Sequence, residues 1–364
     1  MSAPALFTPL KIGNHELKHR VVLAPLTRMR CTDDAVPTDM MREYYSQRAT
    51  DGGLLIAEAT FITRIAGTYP NAPGIYTKEQ ILAWKKITDE VHSKGSTIYL
   101  QLIHLGRAAS AAMNENNQPV SASNISIQGL NILGKPQEVP RSLTIPEIKE
   151  ITGQFRQAAL NSMEAGFDGI EIHGANGYLL DQFINTSSNK RTDSYGGSIE
   201  NRSRFSLEVV DAIVDAIGAK RTAIRFSPWS CFQDMEDETP YETWGYLTQS
   251  LQAKHPNLSY IHFVEARLSQ FTDDNKDTPN TLEPFIKVWK GPFISSGGYS
   301  LDNKLAFENA EKYGTLIGFG RQYIANPDLV ERLRNGWPSN KYHRPSFYGG
   351  DASGYIDYPF YKNE

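Results

Sequence analysis

The residues most able to do chemistry together lie in the run His173-Gly174-Ala175-Asn176-Gly177-Tyr178, which leads into Leu179-Leu180-Asp181-Gln182-Phe183. His173 and Asn176 each offer a neutral hydrogen-bond donor, three residues apart across a glycine-containing turn. Such a pair can grip one carbonyl or phenolate oxygen from two sides, as an oxyanion hole does. Tyr178 adds a hydroxyl with an ordinary pKa of about 10, a poor acid in water but a usable proton donor to a strongly basic carbanion. No second histidine or carboxylate stands at ligand spacing, so no metal site is expected here. Taken singly, the plainer readings are a packed aromatic for Tyr178 and a satisfied core histidine for His173.

Further polar residues end short apolar runs. Side chains alternate along a strand, so an outward apolar face sends the polar partners inward. In Gly169-Ile170-Glu171-Ile172-His173 this places Glu171 and His173 inside; in Ile98-Tyr99-Leu100-Gln101-Leu102 it places Tyr99 and Gln101 there. Arg225 shares its face with Ala223, and the run from Val21 through Pro25 and Leu26 ends in Thr27. Thr27, Gln101, His173 and Arg225 are thus expected to converge on one mouth. Arg225 alone could be a structural cation paired with Glu171. A buried guanidinium without a partner costs several kcal/mol, however, so the convergence favours a ligand charge that answers it. A second cluster comprises Ser295-Ser296-Gly297-Gly298 and Gly318-Phe319-Gly320-Arg321. Its glycines allow close approach of backbone amides, and Arg321 offers a forked donor suited to phosphate.

Eight short runs read as buried strands: 21–26, 54–61, 97–102, 169–173, 222–226, 260–264, 293–296 and 316–319. Each is rich in Val, Ile, Leu or Phe, as parallel interior strands are. Between them lie helical patterns at 78–95, 198–218, 240–253, 282–289, 301–313 and 327–335. Another helix opens at the capping box Thr144-Ile145-Pro146-Glu147. Eight strand–helix alternations predict a (β/α)8 TIM barrel, with a doubly wound open sheet as the alternative. No G-x-G-x-x-G follows an early strand, and the polar residues crowd strand C-termini, so the barrel is preferred. The loops after its last two strands are the usual phosphate cradle of that fold. The connection from about 106 to 141, after strand 3, is too long for slack and reads as a lid-like insertion, or else a surface loop. No linker divides the chain, so residues 1–364 are expected to form a single domain.

Composition narrows the function classes. The chain has 364 residues, 40% hydrophobic and 21% charged, with 37 basic against 41 acidic side chains for a net charge of −4. That balance gives a nucleic-acid backbone no field to answer. Two cysteines, Cys31 and Cys231, are too few for a disulfide scaffold or a four-thiolate zinc site. No apolar run is long enough to span a bilayer, and neither a secretory signal nor a peroxisomal tail is evident, so a cytoplasmic location is expected.

With these stretches in view, the chain resembles the old yellow enzyme family of FMN-dependent ene-reductases, in its fungal branch. The resemblance runs from Leu6-Phe7-Thr8-Pro9-Leu10 to Gly354-Tyr355-Ile356-Asp357-Tyr358-Pro359, and is most specific in 173–180 and in 191–202. It implies a (β/α)8 barrel holding FMN noncovalently at the strand C-termini. Pro25, Leu26 and Thr27 would line the flavin ring, with Ala59 where the family usually has glycine. Gln101 would meet the pyrimidine edge and Arg225 the N1–O2 edge, while Gly297, Gly298, Gly320 and Arg321 would wrap the phosphate. The implied reaction has two halves: NADPH gives hydride to flavin N5, which passes it to an α,β-unsaturated aldehyde or ketone. His173 and Asn176 would hold the carbonyl oxygen, and Tyr178 would protonate the α-carbon. The resemblance also sets Tyr355 over the substrate pocket, and Ile103 on its wall in place of a tryptophan. The implied partners are small molecules only, in a monomer or homodimer.

Two further readings stay in play beside the general ene-reductase: a secondary-metabolism specialist reducing or isomerising one intermediate, and a flavin protein that binds phenols with little turnover. A glycosidase built on Glu58 and Glu171 is conceivable on a barrel but has no other support.

Overall fold

The computed structural model describes residues 3–362 except 268–271, 273 and 276. Strands β1 (Val21–Leu23), β2 (Leu54–Phe61), β3 (Thr97–Ile103), β4 (Gly169–Gly174), β5 (Thr222–Phe226), β6 (Tyr260–Val264), β7 (Phe293–Ser296) and β8 (Leu316–Phe319) form one closed barrel. Every pairing is parallel, each strand beside the next, and β8 returns to β1 through Ile317↔Val21 and Phe319↔Leu23. All barrel strands are buried along their whole length, which explains their mainly apolar sequences.

The predicted strands recur with small changes at their ends. β1 stops at Leu23, because Ala24 makes the last bond, to the Phe319 carbonyl, and Pro25 has no N–H to continue. Residues 24–27 therefore leave the sheet and turn over the mouth.

Helices cover the barrel: α1 (Asp39–Arg48), α2 (Lys78–Ser93), α3 (Ile145–Glu164), α4 (Leu179–Ile184), α5 (Ile199–Ile217), α6 (Pro240–Lys254), α7 (Glu283–Val288), α8 (Asn303–Tyr313), α9 (Arg321–Ala325) and α10 (Leu329–Asn335). Capping boxes start α2 at Thr77 with Gln80, and α3 at Thr144 with Glu147. Such caps satisfy amides that the first turn leaves open. Phe155, Phe205, Val209, Trp84 and Trp244 on these helices are buried in the core between helices and barrel.

Three elements fall outside the sequence expectation. A hairpin of Leu10–Ile12 and His15–Leu17 caps the N-terminal end of the barrel, its Ile12 and Leu17 packed with Leu54, Ile56 and Tyr99. α1 and α9 are the others. The 106–141 connection holds two 3-10 turns, Gly106–Ala108 and Ala111–Met113, and a parallel pair of two-residue strands, Val120–Ser121 and Arg141–Ser142. Buried Arg107 ties it down by bonds to the carbonyls of Ile125 (3.0 Å) and Gln233 (2.8 Å).

Candidate active site

A cavity of about 980 Å³ opens at the C-terminal end of the barrel. Pro25, Leu26, Thr27, Ala59, Gln101, His173, Asn176, Tyr178, Arg225, Gly297, Gly298, Gly320 and Arg321 all line it. Residues from strands far apart in the chain thus share one chamber, as alternation along each strand predicts.

A polar layer crosses its floor. Gln101 Nε2 donates to Glu171 Oε1 (2.8 Å), whose other oxygen is 2.8 Å from His262 Nδ1. His262 Nε2 is 2.8 Å from Ser296 Oγ, and Arg225 Nη2 donates to that hydroxyl at 3.4 Å. With Nδ1–H of His262 donating to Glu171, Nε2 accepts the Ser296 proton and Ser296 accepts from Arg225, so every partner has a role. Burial lowers the His262 pKa, and Arg225 adds to that against the pull of Glu171. The floor therefore holds a carboxylate and a guanidinium joined through neutral groups. Arg225 Nε, by contrast, is buried without an acceptor among the described residues.

The His173–Tyr178 turn rises from β4. Burial, then Arg225 and His262, push the His173 pKa well down, so the ring is neutral. Its Nδ1 accepts the Ala175 N–H at 3.4 Å, which leaves the ring proton on Nε2 as a donor. Asn176 sits at φ 56°, a left-handed conformation that asparagine tolerates better than most residues. Its N–H donates to Ser227 Oγ (2.7 Å) and its carbonyl accepts from Gln233 Nε2 (3.0 Å). Gly177, at φ 75°, allows no side chain: an added Cβ would lie 2.8 Å from Gln233 Cβ. Its N–H donates to Asp181 Oδ2 (2.8 Å), a carboxyl that burial raises to about 7. Tyr178 then stands at the head of α4, edge-on to His173 at 4.9 Å between ring centroids. Burial raises the Tyr178 pKa, while hydrogen bonds from Tyr69 and Gln233 pull it back.

Two residues assigned to the pocket wall lie elsewhere. Ile103 belongs to the hydrophobic core and does not line the cavity. Ile103 is the last residue of β3 and lies beyond its pairing with β4, which ends at Leu102↔Ile172. Tyr355 is wholly buried, stacked on Tyr44 at 4.3 Å, with Arg28 and Arg30 guanidinium carbons 4.9 and 4.4 Å from its ring centre. Cation–π attraction and the Arg48 bond to its carbonyl (3.3 Å) hold it behind the wall. Phe347 and Tyr348, a few residues earlier, line the cavity instead. Sequence reasoning also missed His262, Tyr69 and Gln233. Only His262 left a signal: two residues after Tyr260, it shares that residue's inward face.

The residues present fit FMN. The acceptor that Arg225 Nε lacks among the described residues is what an anionic ring edge supplies. Gly298 (φ 81°) and Gly318 present bare backbone to the cavity, and an added Cβ would collide with Asn275 Oδ1 at 2.6 Å and Ser296 Cβ at 2.9 Å respectively. Arg321 flanks this bare backbone.

Comparison with known proteins agrees with the geometry. The family model described as NADH:flavin oxidoreductase / NADH oxidase matches residues 5–340. 12-Oxophytodienoate reductase 1 of Oryza sativa subsp. japonica is 48% identical over 363 residues, covering 99% of this chain and 94% of that protein. Chanoclavine-I aldehyde reductase fgaOx3 of Penicillium roqueforti is 44% identical over 361 residues, 98% of this chain and 96% of that protein. The solved structure of morphinone reductase superposes with a TM-score of 0.91 at 40% identity, covering 100% of this chain and 98% of that one. The chain belongs to the NADH:flavin oxidoreductase / NADH oxidase family and is an oxidoreductase of the old yellow enzyme type.

Proposed function

We propose that the chain uses NADPH, through noncovalently held FMN, to reduce the C=C bond of α,β-unsaturated aldehydes and ketones. The observation that carries this is the neutral His173, with its proton on Nε2, beside Asn176 and Tyr178 on one cavity wall. FMN, when bound, supplies the ring that takes up and gives out hydride. Pro25, Leu26, Thr27, Ala59 and Gln101 would bind that ring, Arg225 its N1–O2 edge, and Gly297, Gly298, Gly320 and Arg321 its phosphate.

The substrate oxygen accepts hydrogen bonds from His173 Nε2–H and the Asn176 amide. Both donors are neutral, so they polarise the carbonyl without protonating it and draw electron density from the β-carbon. Fixed donors in a water-poor site need no reorganisation as negative charge builds on that oxygen. Tyr178 gives its proton to the α-carbon. The segment at about 106–141 contributes Ile127, Leu130 and Ile132 to the outer cavity wall and would close over the substrate as a lid.

A specialist reading is favoured by relatives named for single compounds, 12-oxophytodienoate and chanoclavine-I aldehyde. It differs in substrate range, not in chemistry. The test is the anaerobic visible spectrum of the purified protein. The expected result is flavin absorbance that bleaches with NADPH and returns on adding cyclohexenone or a bulkier enone. Bleaching without recovery across an enone panel contradicts the proposal, and phenol-induced long-wavelength bands without NADPH oxidation would favour a phenol-binding protein.

A further inference from the structure

Tyr69 lies in the connection between β2 and α2 and lines the same cavity as Tyr178. Its hydroxyl donates to the Tyr178 hydroxyl at 3.4 Å. A phenol oxygen that accepts on one side keeps its own proton for another direction. We propose that Tyr69 is a positioning residue whose hydroxyl anchors the Tyr178 oxygen, aims the Tyr178 proton at the substrate carbon, and holds the phenolate left behind. This rests on the reading of Tyr178 as the proton donor.

The proton balance is closed. The Tyr178 O–H bond breaks as a C–H bond forms from the electron pair on the α-carbon, and the negative charge comes to rest on the Tyr178 oxygen. Tyr69 keeps its own O–H bond and shares that proton with the new phenolate. Water at the cavity mouth then returns a proton to Tyr178.

The surroundings are built for this contact. The Tyr69 carbonyl accepts the Ala72 N–H (3.2 Å), and Phe61 packs edge-on at 6.5 Å between ring centroids, supporting the ring from one side. On the far side the Gln233 amide donates to the Asn176 carbonyl and fixes the turn that carries Tyr178. Burial raises the pKa of both phenols, and the contact between them lowers that of Tyr178 while raising that of Tyr69. Tyr69 is thus the partner that keeps its proton, and Tyr178 the one that can give it up.

A double-mutant cycle on the holoenzyme tests this, using Tyr69→Phe, Tyr178→Phe and the double variant. Each is reduced with NADPH, then mixed with cyclohexenone, and the single-turnover return of flavin absorbance is timed. Tyr69→Phe should bleach at the parent rate and reoxidise about tenfold more slowly, the size of one hydrogen bond. In the Tyr178→Phe background the same substitution should cause no further slowing. Equal slowing in both backgrounds would make Tyr69 a wall residue and overturn the proposal, as would an unaltered rate in Tyr69→Phe. If Tyr178→Phe itself reoxidises at the parent rate, the acid assignment fails and this inference falls with it. If Tyr178→Phe is slow and Tyr69→Phe is not, only this inference falls.

Discussion

The two ends of the barrel are made from the same eight strands and solve opposite problems. At the N-terminal end, Val22, Leu54, Ile56, Ile294 and Leu316 pack under the hairpin residues Ile12 and Leu17. There the Tyr99 hydroxyl lies 2.7 Å from Ser259 Oγ, and the hairpin covers the strand ends. At the C-terminal end the same strands finish in Gln101, Glu171, His173, Arg225 and Ser296, and Arg225 Nε has no acceptor among the described residues. One end spends its side chains on stability, whereas the other keeps buried donors waiting for a ligand. Function is tolerated at one pole because the other is sealed.

Substitutions that separate the poles should separate stability from cofactor binding. The largest effect is expected at the sealed end. Leu17→Ala removes a fully buried side chain and should lower unfolding free energy by about 2–5 kcal/mol in denaturant titration. FMN affinity of the folded fraction should not change; a parallel loss of affinity would mean that the poles are coupled. At the open end, Gly298→Ala forces a Cβ to within 2.6 Å of Asn275 Oδ1 at φ 81°. Strain of that kind costs about 1–3 kcal/mol. It should lower the thermal stability of the FMN-free protein by that amount and, unlike Leu17→Ala, also weaken FMN binding, read by flavin fluorescence.

The smallest effect concerns pH at the sealed end. His92 Nε2 lies 2.9 Å from Asp168 Oδ2, and that bond raises the His92 pKa against the opposing effect of burial. A raised folded-state value means this contact contributes stability below the unfolded pKa, about 6.5, and loses it as pH rises through the folded value. His92 is partly exposed, so screening keeps the gain small. His92→Gln should flatten that part of the stability–pH curve, and a slope identical to the parent would remove His92 from the account.

Much of this contrast could be read from residue order. Interior parallel strands are short and mainly apolar, so all eight are visible, and alternation sends Gln101, Glu171, His173 and Arg225 to one side. What escaped did so for physical reasons. α1 turns Arg48, Tyr44, Tyr45 and Ser46 inward, so it lacks the apolar stripe that marks a helix. The N-terminal hairpin has strands of three residues, too short for periodicity to register. Tyr69, Gln233, Phe347 and Tyr348 lie outside the regular barrel strands, and loop side chains have no period to announce where they point. The Tyr355 placement failed because three arginines, Arg28, Arg30 and Arg48, gather the C-terminal segment from far along the chain. A one-dimensional pattern does not encode that capture.

The claim on which most depends is that the open end grips an oxygen through His173 and Asn176 while Tyr178 supplies the proton. Reoxidation of the NADPH-reduced Tyr178→Phe variant by cyclohexenone, timed by stopped flow, tests it most directly. The account predicts bleaching at the parent rate and reoxidation slower by about 10²–10⁴-fold, the usual contribution of a positioned general acid. Reoxidation at the parent rate would contradict it.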